Sequence, residues 1–145
     1  MIEEMPFPIV TSYFGNRELA FDSERRWTFF SVALGTPQWF PCKAQQLKDL
    51  FPVAPTPKLL GLYKSGKVND LEYTEIYLER LQRELDVFAL VGHLKLSSPN
   101  PPILLCWEKP DEFCHRHLLS RYLVENVPDL YTFELITPRK NTRTP

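Results

Sequence analysis

Residues Ile103-Leu104-Leu105-Cys106 form an unbroken apolar run that stops at Trp107-Glu108-Lys109-Pro110. A strand with one wet face alternates apolar and polar side chains, and this run has no polar face. It therefore reads as a strand buried on both sides, followed by a tight turn and a helix. Two other short β-rich runs share the property. Residues 7–14 (Phe-Pro-Ile-Val-Thr-Ser-Tyr-Phe) end at Gly15-Asn16, and residues 26–34 (Arg-Trp-Thr-Phe-Phe-Ser-Val-Ala-Leu) end at Gly35-Thr36-Pro37. Residues 131–137 supply a last strand. Strands of this kind need cover on both faces, which is the condition of a parallel sheet between helices.

The helices that supply the cover are legible too. Thr56-Pro57 is a capping hydroxyl followed by proline at the first helical position, with Leu59, Leu60 and Tyr63 on one face and Ser65-Gly66 as the stop. Asn69 or Asp70 caps a second helix, in which Tyr73, Ile76, Tyr77, Leu81 and Leu85 follow the spacing of a buried face. Residues 86–96 form a third on the same argument, and residues 111–126 follow the central strand as a fourth. Residues 42–51 are ambiguous, with Leu47 and Leu50 giving weak helical spacing. Pro37-Gln38-Trp39-Phe40-Pro41 is a rigid aromatic loop, suited to a lid or to packing a proline turn.

The expected fold is a single compact α/β domain over residues 1–138, with a largely parallel sheet of about four to five strands flanked by helices. Residues 139–145 are polar and basic and read as a frayed tail. The net charge of −1 provides no global field for nucleic acid or membrane, and no apolar run reaches the roughly 18 residues of a spanning helix. The start of the chain is the wrong type for a signal peptide, and an odd number of cysteines, three, argues for reduced thiols and a cytoplasmic setting.

Ligands of parallel sheets bind at the carboxyl ends of strands, beside helix N-termini. That rule selects the turn from Glu108 to Arg116, with the end of the first strand (Ser12, Tyr13, Asn16, Arg17) as its neighbour. On this reading Cys114 lies in the first turn of its helix, where unpaired N–H groups favour a thiolate or a bound anion. His115 and Arg116 add positive charge. Asp111 and Glu112 oppose it, and a helix terminus supplies only about 0.3–1 kcal/mol. The alternative is a small buried cysteine that packs the sheet.

Glu108, at the strand's end, is the candidate general base, or else the partner that holds Arg116. Cys106 faces Cys114 across the turn as a ligand-lining or redox partner. Lys64 and Tyr73 stand out as polar groups among apolar helix positions, although tyrosines at helical spacing are commonly core. His93 reads as structural. No metal site is expected, because His115 and His117 sit about 200° apart around a helix and cannot both face one ion.

The segment Leu105-Cys106-Trp107-Glu108-Lys109-Pro110 through Phe113-Cys114-His115-Arg116-His117 resembles the signature of a bacterial and phage family catalogued as domain of unknown function number 488. The resemblance takes in residues 10–14, Ala54-Pro55, Leu59-Leu60, residues 63–66 and residues 72–77. After His117 the chain departs from the family pattern with Leu118-Leu119-Ser120-Arg121-Tyr122. Membership implies a compact α/β fold and a site at the Cys-His-Arg turn, and no particular reaction.

The expected function is binding of, and action on, a small anionic molecule, phosphorylated or nucleotide-like. Cys114, Glu108 and His115 would be the catalytic groups, and Arg116, Cys106, Ser12, Tyr13, Lys64 and Tyr73 the ligand-binding ones. A non-catalytic interaction module, nucleic-acid associated through the basic tail, is the alternative, and a thiol redox protein the third. The sequence leaves enzyme and binding protein open and names no cofactor.

Overall fold

The computed structural model describes residues 6–20, 26–96 and 100–136. The basic tail, and Thr137 of the expected last strand, lie outside the described residues. Five strands, β1 (Phe7–Tyr13), β2 (Thr28–Ser31), β3 (Gln45–Gln46), β4 (Pro102–Cys106) and β5 (Leu130–Glu134), form one sheet in the order β3-β2-β4-β1-β5, and every pairing is parallel. The expected α/β architecture is present. The unbroken run is the middle strand, and all five of its residues are buried.

Five α-helices lie among the described residues: α1 (Arg17–Ala20), α2 (Pro57–Lys64), α3 (Asp70–Glu84), α4 (Val87–Lys95) and α5 (His115–Asn126). Helix α5 packs on β1, β4 and β5 and also touches α3 and α4, so it bridges the sheet to the rest of the helical layer. Thr56 and, of the pair Asn69 and Asp70, Asn69 cap their helices as read from sequence, and Asp86 is a third cap. Thr56 accepts from the Leu59 N–H, Asp86 accepts from that of Ala89, and Asn69 with Glu72 forms a reciprocal capping box. Gly66, just past α2, has φ +77°, the left-handed conformation that ends a helix cheaply only at glycine.

Alternation along the strands distributes side chains between the two faces. Phe30, in register with Leu104, meets His93 of α4, whereas its neighbour Phe29 meets Phe40. Phe40 is thus a packing residue, buried against Phe29 and Phe14, and Trp39 stays 59% exposed. His93 is structural in the same sense, held between Phe30 and Phe51.

Three expectations are corrected. Residues 42–51 contain the fifth strand, too short for its period to register, followed by a 3-10 turn at Leu47–Asp49. Ile76, expected on the buried face of α3, is 44% exposed, because Tyr73, Tyr77, Leu81 and Leu85 already fill the contact stripe. Helix α5 begins at His115, four residues later than expected. Lys109-Pro110-Asp111-Glu112 closes instead into a tight turn, in which the Glu112 N–H donates to the Lys109 carbonyl at 3.0 Å and the Glu112 carboxylate accepts from the Lys109 N–H at 2.8 Å. Proline is well suited to the second position of such a turn.

The core assignment makes a contrast that urea unfolding can read. Leu104→Ala, in the fully buried middle strand, should destabilise by about 2–5 kcal/mol. Ile76→Ala should stay within about 0.5 kcal/mol of the parent, as surface changes do.

Candidate functional site

The connections set the site. The chain leaves β2 towards β3 on one side of the sheet and leaves β4 towards β5 on the other. Adjacent parallel strands whose connections diverge leave a crevice at their carboxyl ends. A cavity of about 440 Å³ opens there, lined by Ala33, Leu34 and Gly35 after β2 and by Cys106, Trp107 and Glu108 after β4. Cys114 and His115 complete its floor, and Tyr63, Lys64, Tyr73 and Phe113 stand on its walls. The walls are an aromatic cluster: the Tyr63, Tyr73 and Phe113 ring centroids lie 5.2–5.4 Å from one another. At its edge the Trp107 indole N–H donates to the Gly35 carbonyl at 2.6 Å and ties the two strand ends together.

Cys114 is the residue that caps α5, not one within its first turn. Its backbone is extended and its sulfur accepts the Arg116 N–H at 3.5 Å. Next to it the His115 imidazole is almost fully buried. Nε2 lies 2.7 Å from the Val32 carbonyl, a partner that can only accept, so Nε2 carries the proton. Nδ1 is the nitrogen left to face two sulfurs, Cys106 at 3.9 Å and Cys114 at 4.0 Å, offering a lone pair when the ring carries one proton and an N–H donor when it carries two. Tyr77 fixes the ring edge-on at 5.6 Å while its hydroxyl donates to the Val53 carbonyl.

Both thiols are buried and unbridged. Burial opposes ionisation of Cys114. Hydrogen bonds from the Cys106 thiol and His115, with the charges of His115 and Arg116, outweigh it and pull Cys114 well below the ordinary thiol value. Cys106 moves up, through its hydrogen bond to Cys114 and through burial beside the charges of Cys114 and Glu108. The two shifts run in opposite directions because the sulfurs share a hydrogen bond in which Cys106 donates to Cys114. Glu108 Oε2 lies 3.4 Å from the Cys106 sulfur and is the alternative acceptor for its one proton. Burial, then the Cys114 charge, raises its carboxyl pKa. Burial likewise raises the Tyr73 phenol, which lines the same cavity.

Arg116 departs from expectation. Its side chain is fully buried, and its donors are committed: Nε and Nη2 to the two Glu134 oxygens at 3.2 and 2.7 Å, and Nη1 to the Glu108 carbonyl at 2.7 Å. It does not line the cavity. The guanidinium is a clamp between the turn and β5, and the cavity's charged nitrogen is the exposed Lys64. Glu108, expected as a holder of Arg116 through its carboxylate, holds it through its backbone. Ser12 and Tyr13 are also off the cavity. The Ser12 hydroxyl donates to the Leu135 carbonyl and accepts from Asn16, on the β5 side of the sheet. The end of β1 does adjoin the turn, with Tyr13 in register with Cys106, but the crevice lies on the other flank of β4, between β4 and β2.

His117 points elsewhere than His115, towards Glu134 at 3.3 Å, as two positions so placed on a helix require. Burial would raise the Glu134 carboxyl, but hydrogen bonds from His117, Arg116 and Thr11 and the guanidinium charge hold it at about 2. Reasoning from sequence missed Glu134, Val32, Trp107, Tyr63 and Phe113. Glu134 alone left a signal, as the single charge in the run Tyr-Thr-Phe-Glu-Leu-Ile. No protein-family profile, no curated protein and no solved structure matches the chain.

The clamp predicts two outcomes. Arg116→Ala leaves a carboxylate without its cation and should destabilise by about 3–5 kcal/mol. A carboxyl lowered on folding stabilises above its unfolded value, so this contribution, about 3 kcal/mol, is in place above roughly pH 4.5 and lost as the pH falls towards 2. Urea unfolding across that window should show the acid limb in the parent and a flatter one in Glu134→Gln.

Proposed function

We propose that the cavity is an enzyme-type site for a small molecule with a planar, nucleotide-like ring and an anionic group. One observation carries the reading: two cysteines, a histidine and a carboxyl group, all buried or partly so, converge on the floor of the cavity at the sheet's switch point. Tyr63, Tyr73, Phe113 and Trp107 offer faces and edges for ring stacking. Lys64 takes the anion, the role that sequence alone gave to Arg116. Cys114 is the nucleophile. Its sulfur forms a bond to an electrophilic carbon of the ligand, and the departing group takes a proton from Glu108.

The resemblance of the Cys-Glu turn and the Cys-His-Arg segment to the family of unknown function named above belongs to the same proposal. So does a reducing, cytoplasmic setting, in which paired thiols persist. No helix among the described residues is long and apolar enough to cross a membrane.

A second reading has one observation behind it. The Cys106 and Cys114 sulfurs belong to a cluster whose atoms lie within 4.8 Å of one another, close enough for a thiol redox pair. Diamide oxidation would then convert the two thiols to a disulfide with loss of two hydrogens by intact mass.

Two measurements test the primary reading. Iodoacetamide should label Cys114 faster than the more exposed Cys42, and a bound nucleotide or sugar phosphate should slow it. In a thermal-shift screen, a ligand at 100 times its dissociation constant should stabilise the parent by about 2.7 kcal/mol, and Lys64→Ala should lose most of that. Equal, slow labelling together with no hit from nucleotides, sugar phosphates or oxyanions would leave a non-catalytic interaction module as the better account.

A further inference from the structure

We infer that Cys106, Cys114 and His115 form a binding site for a divalent metal ion of the zinc class, with its fourth coordination position open to the cavity. The donor atoms, two sulfurs and one imidazole nitrogen, all lie within 4.8 Å of one another. A tetrahedral zinc ion with bonds of about 2.3 Å to sulfur and 2.0–2.1 Å to nitrogen sets a sulfur–nitrogen edge of about 3.6 Å. The two such edges in this protein are 3.9 and 4.0 Å. The sulfur–sulfur edge lies within 4.8 Å, against about 3.8 Å for a tetrahedral ion, so closing the triangle needs a few tenths of an ångström on the nitrogen edges and at most about 1 Å between the sulfurs.

The orientation of the histidine is an independent observation. A ligating imidazole needs a lone pair on one nitrogen and a hydrogen-bond acceptor for the other, usually a carboxylate or a backbone carbonyl. The Val32 carbonyl, 2.7 Å from Nε2, is that acceptor, and it turns Nδ1 towards both sulfurs. Soft thiolates with imidazole select zinc-class ions over magnesium or calcium, which take oxygen ligands. His117 is not needed. The sequence argument against a metal rested on His115 and His117 facing one ion together, and Cys106, brought in from the end of β4, supplies the third donor instead.

Three protein ligands with an open position are the composition of a catalytic rather than a structural zinc site. All three residues line the cavity, so the uncovered side of the triangle gives onto it. Glu108 stands beside the cluster without joining it, its Oε2 3.4 Å from the Cys106 sulfur. The metal-loaded and metal-free forms are alternatives: an ion that takes both sulfurs silences Cys114 as a nucleophile and presents a Lewis acid to the same cavity. The proposed site accommodates an ion whether or not the ligand reading above holds.

Cobalt(II), a spectroscopic stand-in for zinc, provides the test on the reduced full-length chain. One equivalent should develop sulfur-to-metal charge-transfer absorption and the intense visible bands of a four-coordinate ion, both bleached by one equivalent of zinc. Zinc should also protect Cys106 and Cys114 from alkylation, reversibly with chelator, and leave Cys42 labelling unchanged. His115→Ala and Cys106→Ser should weaken affinity by more than about 100-fold, since loss of even an outer partner costs 10–100-fold. Cys42→Ser should match the parent. A cobalt spectrum that stays that of the six-coordinate aqueous ion overturns the inference, as does binding lost on Cys42→Ser or indifferent to His115→Ala. Should the variants unfold, the parent's spectrum and alkylation pattern decide alone. Neither measurement involves an organic ligand, so a negative thermal-shift screen and a failed metal titration are distinguishable outcomes.

Discussion

The buried guanidinium of Arg116 is the interaction on which the site depends. A charge removed from water this completely is tolerated only when its donors are used and its countercharge is at hand. Glu134 supplies the countercharge from β5, and the Glu108 carbonyl takes the donor that points to the turn. One end of the clamp is therefore the last strand of the sheet and the other is the segment that carries the cysteines. Thr11 of β1 donates to the same carboxylate, which brings a second strand into the arrangement. The outcome is geometric. The turn after β4 is fixed before any ligand arrives, and with it the position at which α5 begins.

Placing the helix start at His115 rather than within the Pro110 turn changes the chemistry available. A cysteine inside the first turn would meet the helix terminus alone, a contribution of about 0.3–1 kcal/mol. As the capping residue, Cys114 accepts the Arg116 N–H and lies beside the Cys106 thiol and His115. Those neighbours come from the end of β4 and the helix itself, and the Val32 carbonyl beyond β2 sets the tautomer of the histidine. Parallel strands whose connections diverge are what bring β2 and β4 ends together, so topology, more than helix electrostatics, makes the cluster.

The sequence was most informative where one physical rule dominated. A four-residue run with no polar face reads as a strand covered on both sides, and the strand that contains it, Pro102–Cys106, is the middle of the sheet. Capping residues at Thr56 and at Asn69 or Asp70 marked helix starts because their side chains have few other uses. Legibility failed where the deciding partner was remote in the chain. Arg116 looked like an anion site because Glu134, which consumes it, is eighteen residues away on another strand. Ser12 and Tyr13 do adjoin the end of β4, in register with Leu105 and Cys106, but the cavity opens on the other flank of β4, towards β2, a choice set by strand order and invisible in chain order. The helix start was misplaced because Pro110 serves a tight turn as well as it serves a first helical position.

The cavity combines features that pull against one another. Its aromatic walls and buried floor disfavour charge, yet the floor concentrates two sulfurs, an imidazole and a carboxyl group within hydrogen-bonding range. Pure packing would not gather them, since leucine or valine would fill the same volume without polar atoms to satisfy. Packing also would not need the histidine oriented, yet its outer nitrogen is committed to a main-chain carbonyl and its inner one is left to the sulfurs. An imidazole nitrogen preorganised between two sulfurs has two chemical uses, to stabilise a thiolate as an N–H donor when the ring is protonated or to complete a metal's ligand set with its lone pair when it is not. Both place the reacting centre at the same point, at the bottom of an aromatic cavity with Lys64 on its wall.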